Sequence, residues 1–141
     1  MEDIGGCRVL VASQTDVVGL VRRLKKNWTI VRHRDYVAEP KPDGYRAHHV
    51  VAEKMGRRIE IQLRTPTQDL WANTVEHHGR QLAHALKSGA GPDEILAYYR
   101  EVSRVLALDE RGEAPDAELV HRLRLLTDAI RPYLVEGDEP S

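Results

Sequence analysis

From Arg58 to Thr65 the chain reads Arg-Ile-Glu-Ile-Gln-Leu-Arg-Thr. A strand's period of two places Ile59, Ile61 and Leu63 on one face and Glu60, Gln62 and Arg64 on the other. A carboxylate, an amide and a guanidinium in one mid-sheet row are expensive to build unless they are solvated or face a ligand. The plain alternative is a strand face turned to water. A second β-rich run, Tyr45 to Glu53, is separated from the first by Lys54-Met55-Gly56-Arg57, a spacing that suits a hairpin with Gly in the turn. Alternation there puts Tyr45, Ala47 and His49 on one face and brings His49 across from Glu60 and Gln62. A Tyr, a His, a Glu and an Arg would converge. Tyr offers a flat ring for a base and a hydroxyl, while Arg and Lys supply positive charge for phosphates. These are the needs of a nucleotide pocket.

Asp3 and Glu60 make a candidate carboxylate pair for Mg²⁺, a hard cation that takes few protein oxygens and keeps the rest of its shell for phosphate and water. Asp3 alone reads as a turn residue, and His48 or His49 alone as a satisfied structural histidine. No Cys and His stand at zinc spacing, and adjacent His77 and His78 on a helix point about 100° apart. Glycine-rich Walker and Rossmann patterns are absent.

The elements that position these residues follow from patterning. Cys7 to Ala12, rich in Val, reads as a short buried strand. Thr15 to Lys26 carries Val17, Val18, Leu20, Val21 and Leu24 at helical spacing, with Arg22, Arg23, Lys25 and Lys26 on the other face. That basic cluster could touch RNA phosphates, but on an amphipathic helix it is more often a solvated face. Trp28 to Arg34 predicts a second strand, ending in an ordered loop with Pro40, Pro42 and Gly44. Pro66 opens a helix expected to run to Lys87, closed by Gly89 and Gly91. Further helices are expected from Pro92 to about Leu108 and, after a polar connector over Asp109 to Asp116, around Leu119, Val120, Leu123, Leu126 and Ile130, with a frayed tail after Glu136. The order predicts an α+β (α/β) fold, a mixed sheet with helices packed over it.

The 141 residues suit one domain. Apolar residues at 41% and charged residues at 30% are ordinary for a globular chain, and the net charge of -1 argues against bulk nucleic-acid coating. The single Cys7 permits no internal disulfide, and no apolar run approaches the roughly 20 residues of a membrane helix, so a cytoplasmic location without membrane contact is the expectation.

At these residues the sequence resembles the synthetase domain of the RelA/SpoT family, in register from Asp3 to about Lys87. Asp3-Ile4-Gly5-Gly6-Cys7-Arg8 is similar to the family's Asp-Ile-x-Gly-x-Arg. Asp35-Tyr36-Val37 and Pro40-Lys41-Pro42 resemble its approach to the guanine loop, and Gly44-Tyr45-Arg46-Ala47-His48-His49 its Gly-Tyr-x-Ser-x-His. Glu60-Ile61-Gln62-Leu63-Arg64-Thr65 matches Glu-x-Gln-x-Arg-Thr without a gap, and Trp71-Ala72 with Glu76-His77 resembles the helix that follows in small synthetases.

The resemblance implies a nucleotidyltransferase-like fold that transfers pyrophosphate from ATP to the 3′-hydroxyl of GDP or GTP, giving (p)ppGpp. Asp3, Glu60 and Arg64 would be catalytic, with Asp3 and Glu60 holding Mg²⁺. Tyr45 would stack on guanine, with His49, Lys41, Gln62 and Arg46 as further substrate contacts. Such transfer depends on positioning, metal neutralisation and cationic stabilisation rather than covalent catalysis. Asp43 stands where the family has Asn or another small polar residue, and Ala47 where Ser is common; a carboxylate beside a phosphate is repulsive.

In the family a basic helical segment before the Asp supplies much of the ATP site, whereas only Met1 and Glu2 precede Asp3 here. The expectation is therefore a fragment of an active synthetase, with 1–88 as an N-terminally truncated core and 89–141 as a helical extension of the same domain. Alternatives are a guanine-nucleotide-binding or regulatory paralogue without turnover, and the toxic branch that pyrophosphorylates tRNA. Small relatives often assemble as homo-oligomers, and hydrolase activity is not expected.

Overall fold

The structure, a computed structural model, describes residues 4–87, 89 and 91–133. It divides into two compact units, Met1–Lys41 with Tyr45–Leu70, and Pro42–Gly44 with Trp71–Ser141.

The first unit is a four-stranded mixed sheet with a helix on one face. Its elements are β1 (Ile4–Leu10), α1 (Gln14–Asn27), β2 (Thr29–Asp35), β3 (His48–Lys54) and β4 (Arg57–Arg64), in the spatial order β1-β4-β3-β2. β1 runs parallel to β4, and the other neighbours are antiparallel. α1 begins where the Ser13 hydroxyl accepts the Asp16 N–H at 3.2 Å and ends on Lys25 and Lys26, charges that suit the two ends of the helix dipole. Its buried Val17 and Val21 pack on Val50, Ala52 and Leu63 of the sheet. Burying each such side chain stabilises by about 1.5–3 kcal/mol.

β3 and β4 meet in a hairpin whose turn residues Met55 and Gly56 have φ of 56° and 77°, the left-handed pair that a tight two-residue turn requires. A bulge between Ile30 and Arg32 lets Ile30 and His33, three residues apart, both face α1.

β1 departs from the buried strand expected over Cys7 to Ala12. It spans Ile4–Leu10, pairs only with β4 among the described residues, and leaves Gly5, Gly6, Cys7, Arg8 and Leu10 exposed. Its Val-rich stretch signalled β structure but not position in the sheet. β3 likewise begins at His48, so Tyr45 and Ala47 precede the strand, held by Lys41 N–H to the Tyr45 carbonyl at 3.2 Å and Tyr36 N–H to the Ala47 carbonyl at 2.9 Å.

The helix opened by Pro66 is two helices, α2 (Pro66–His77) and α3 (Gly79–Lys87), rather than the single one expected to Lys87. Gly79, a poor helix former, stands at the break. α2 starts with a capping box: Thr65 Oγ1 accepts the Gln68 N–H at 3.2 Å, and Gln68 Oε1 accepts the Thr65 N–H at 3.0 Å.

The second unit is helical, with α4 (Pro92–Glu110) and α5 (Ala117–Ile130) packed on each other. The Trp71 indole donates to the Tyr99 carbonyl at 3.0 Å, and His78 Nδ1 lies 3.1 Å from the Tyr99 hydroxyl, whose pKa burial and Tyr98 push up to about 12. Buried Glu101 meets Arg104 at 3.3 Å and Arg122 at 3.4 Å, pairing α4 with α5. Gly44, at φ 96°, accepts a hydrogen bond from the Ser103 hydroxyl at its carbonyl. The mixed sheet and the helical second unit agree with the α+β expectation. The tail after Glu136 lies outside the described residues.

Candidate active site

The sheet face away from α1 carries the polar row. In the observed register His49 pairs with Gln62 and Val51 with Glu60, while Arg8 on β1 also pairs with Gln62 and Arg34 on β2 with His49. One face therefore collects Arg8, Arg34, His49, Glu60, Gln62 and Arg64, joined by Tyr45 from the preceding loop.

Arg64 organises this face. It is 7% exposed; Nη2 donates to the Tyr45 hydroxyl at 3.0 Å and to Gln62 Oε1 at 3.1 Å, and Nη1 donates to Asp69 Oδ1 at 3.2 Å. Only its Nε, also buried, lacks a partner among the described residues. A guanidinium has no acceptor, so Arg64 is the donor in each of these three bonds. Tyr45 oxygen accepts from Arg64 and shares a second hydrogen bond with His49 Nε2 at 2.6 Å. His49 Nδ1 lies 4.0 Å from Glu60 Oε1, an approach too long for a hydrogen bond. On the other arm Gln62 Oε1 faces Arg64, so its NH₂ donates to Glu60 Oε1 at 3.4 Å. Both arms end on the same carboxylate oxygen.

Burial lowers the His49 pKa most, and Lys41, Arg64 and Arg32 add to that lowering against the opposing pull of Glu60. Lys41 Nζ stands 4.9 Å from the Tyr36 ring centre and 5.3 Å from that of Tyr45, and Tyr36 packs edge-on to both His49 and Tyr45. Each cation–π contact contributes about 0.5–1 kcal/mol at an exposed site.

A family model described as "Region found in RelA / SpoT proteins" matches residues 1–81, more than half the chain. The chain belongs to the RelA/SpoT family. Among relatives, GTP pyrophosphokinase YjbM of Bacillus subtilis (strain 168) is 32% identical over 134 residues, which is 84% of this chain and 61% of that protein. GTP pyrophosphokinase YwaC of the same strain is 36% identical over 120 residues, 72% of this chain and 55% of that protein. The chain thus spans little more than half the length of these curated relatives. The solved structure of small alarmone synthetase 2 from Bacillus subtilis superposes with a TM-score of 0.60 at 27% identity, covering 76% of this chain and 61% of that one.

Of the residues that the RelA/SpoT resemblance singled out, Tyr45, His49, Lys41, Glu60, Gln62 and Arg64 come together. Asp3 lies outside the described residues. Arg46 stands half-buried between Tyr45 and the fully buried Ala47. Five contributors were missed: Arg8 and Arg32, which the register brings to this face, and Tyr36, Asp69 and Arg34. Tyr36 sat within the quoted Asp35-Tyr36-Val37 and could have been flagged as a flat ring beside a Pro-rich loop. Asp69 follows Arg64 by five residues, an acid in the first turn of the helix that the arginine precedes. Arg34 could have been found from the Arg32-His33-Arg34 alternation once β2 was paired with β3.

No group of three or more His, Cys, Asp or Glu among the described residues could cage a metal. The Glu60 side chain, 33% exposed, offers one carboxylate on this face.

Proposed function

We propose that this chain carries the acceptor side of a pyrophosphokinase site, where the pyrophosphoryl group of ATP passes to the 3′-hydroxyl of GDP or GTP in the cytoplasm. The observation that carries this reading is the double convergence on Glu60 Oε1, next to an aromatic and cationic cradle made by Tyr36, Lys41 and Tyr45.

The guanine base stacks on Tyr45, whose hydroxyl is held at both ends and so presents the ring in one orientation. Lys41 swings from that ring toward the nucleotide phosphates, and exposed Arg8, Arg32 and Arg34 add positive charge on the same face. Glu60 accepts the proton of the attacking 3′-hydroxyl as the hydroxyl oxygen bonds to the β-phosphorus of ATP and the bond from that phosphorus to the α-phosphate breaks, releasing AMP. Glu60 Oε1 is held by Gln62 and lies 4.0 Å from His49 Nδ1, leaving Oε2 for the substrate or a metal. Glu60 with Asp3 would hold Mg²⁺, which supplies charge neutralisation on the transferring phosphates. Arg64, buried and engaged by Tyr45, Gln62 and Asp69, is a positioning residue rather than a phosphate contact.

Incubation of the chain with Mg²⁺, γ-labelled ATP and GDP, GTP or bulk tRNA tests this, with Glu60→Gln as control. Label on a guanine nucleotide, lost in the variant, is expected. Label on tRNA alone would replace the acceptor. No transfer, together with guanine-nucleotide binding that Tyr45→Ala abolishes, would leave a binding module and overturn the enzyme reading for this chain.

A further inference from the structure

The sheet face that carries α1 holds a second polar group, separated from the Glu60 site by the thickness of the sheet. His48, 4% exposed, has Nδ1 3.0 Å from His33 Nε2, and the two rings stack with centres 5.2 Å apart. Its Nε2 is 3.2 Å from the Gln14 side-chain nitrogen, Gln14 Oε1 accepts from Gln68 Nε2 at 3.0 Å, and Gln68 Oε1 accepts the Thr65 backbone N–H at 3.0 Å.

A backbone N–H can only donate, so it fixes every link that follows. Gln68 turns its carbonyl to Thr65 and its NH₂ to Gln14, and Gln14 then turns its NH₂ to His48. His48 Nε2 accepts, which puts its proton on Nδ1, donated to His33 Nε2. The His33 proton therefore sits on Nδ1, a donor with no partner among the described residues. Both rings are neutral, in keeping with pKa values lowered first by burial, with Lys25 adding to the lowering.

These two histidines line a cavity of about 310 Å³ with Arg22 and Lys25 of α1, Asp35 of β2, and Val18 and Val21 at its apolar wall. Neither Arg22 nor Lys25 has an ion-pair partner among the described residues. The only carboxylate, Asp35, accepts the Val37 and Ala38 N–H groups at 2.9 Å each and lies 3.5 Å from His48 Nε2. The cavity thus presents two cations and one free imidazole N–H, while its acceptor is already engaged. Its formal charge is +1, from Arg22 and Lys25 against Asp35.

We propose that this cavity binds a single phosphate group, free or as a terminal monoester. Arg22 and Lys25 take its oxygens, and His33 Nδ1–H donates to a third. Asp35 in the lining disfavours polyphosphates, because its repulsion grows with ligand charge. The site stands independently of the reading of the opposite face.

The test is an imidazole ¹H–¹⁵N spectrum of the intact chain, titrated with inorganic phosphate and, separately, glycerol 1-phosphate, at constant ionic strength. His33 and His48 signals should shift saturably, with His49 on the other face as internal reference. In the Arg22→Gln, Lys25→Gln double variant, altered only at exposed helix positions, the phosphate Kd should rise about tenfold or more, as the loss of a charge-assisted hydrogen bond implies. Saturation by inorganic phosphate alone would identify the free ion as ligand; saturation by both would admit monoesters. Shifts confined to His49, shifts linear in concentration, or a Kd unchanged in the double variant would overturn the proposal.

Discussion

Arg64 Nη2 lies 3.0 Å from the Tyr45 hydroxyl, so a buried cation holds the aromatic ring that we assign to guanine stacking. Tyr45→Phe keeps the ring and removes the oxygen through which Arg64 reaches His49. Loss of these two bonds should cost about 1–2 kcal/mol, read as a lower urea midpoint at unchanged slope. Guanine-nucleotide affinity should fall far less than in Tyr45→Ala. A Phe variant as stable as the parent would show that the bridge contributes nothing.

Acidification should destabilise the chain. His33, His48 and His49 all have pKa values lowered, chiefly by burial, so the folded state binds fewer protons than the unfolded one. Stability is then full above the unfolded value of about 6.5 and falls as pH drops through the window beneath it. Urea midpoints at neutral pH and at mildly acidic pH, with His49→Gln reducing the difference, check the sign. A midpoint that rises on acidification would refute it.

The Gln68 amide should set a tautomer further along its chain of hydrogen bonds. Gln68→Glu keeps the capping box but offers acceptors only. Gln14 must then turn its NH₂ to the introduced carboxylate and its carbonyl to His48, which moves the His48 proton from Nδ1 to Nε2. Long-range ¹H–¹⁵N imidazole spectra distinguish the two tautomers directly. An unchanged His48 pattern would show that the polarity has another origin.

Met55 is 93% exposed and sits at φ 56°, a region that side chains other than Gly and Asn enter at a cost. Met55→Asn gives the Asn-Gly pair favoured in such turns. It should raise stability by about 1 kcal/mol, seen as a higher midpoint in urea.

Gly44 is the opposite case. A Cβ there would lie 2.7 Å from Ser103 Cβ and 2.9 Å from the Arg100 Cα, at a φ of 96°. Gly44→Ala combines a left-handed penalty with a clash against helix backbone and should destabilise by about 3 kcal/mol. A thermal-unfolding comparison with Gly79→Ala separates this from a general glycine effect, since an added Cβ at Gly79 has nothing within 4 Å.

Much of this arrangement was legible in the alternation of β4, where Ile59, Ile61 and Leu63 oppose Glu60, Gln62 and Arg64, and in the Met55-Gly56 turn that fixes His49 across from Gln62. Period-two patterning reports faces but not neighbours, so it missed that β1 is exposed and that Arg64, a charged residue, is buried. The bulge at Val31 was equally invisible, because it moves His33 to the α1 face without changing composition. The Gln14–Gln68 bond joins residues 54 positions apart, and no local rule connects them. The break between α2 and α3 hid within a helical period that runs through it. Tyr36 and Asp69 join the site through contacts between a loop, a strand and the first turn of α2, which no single element's pattern reports.

Two arms of hydrogen bonds, from Arg64 through Tyr45 to His49 and from Arg64 through Gln62 to Glu60, share one guanidinium. Substitutions within them will therefore not be independent. Once one member is lost the others are free to reorient, so a second change costs little more than the first. For a diverging lineage this means strong epistasis: single replacements are purged, and the five side chains are kept or exchanged as a set.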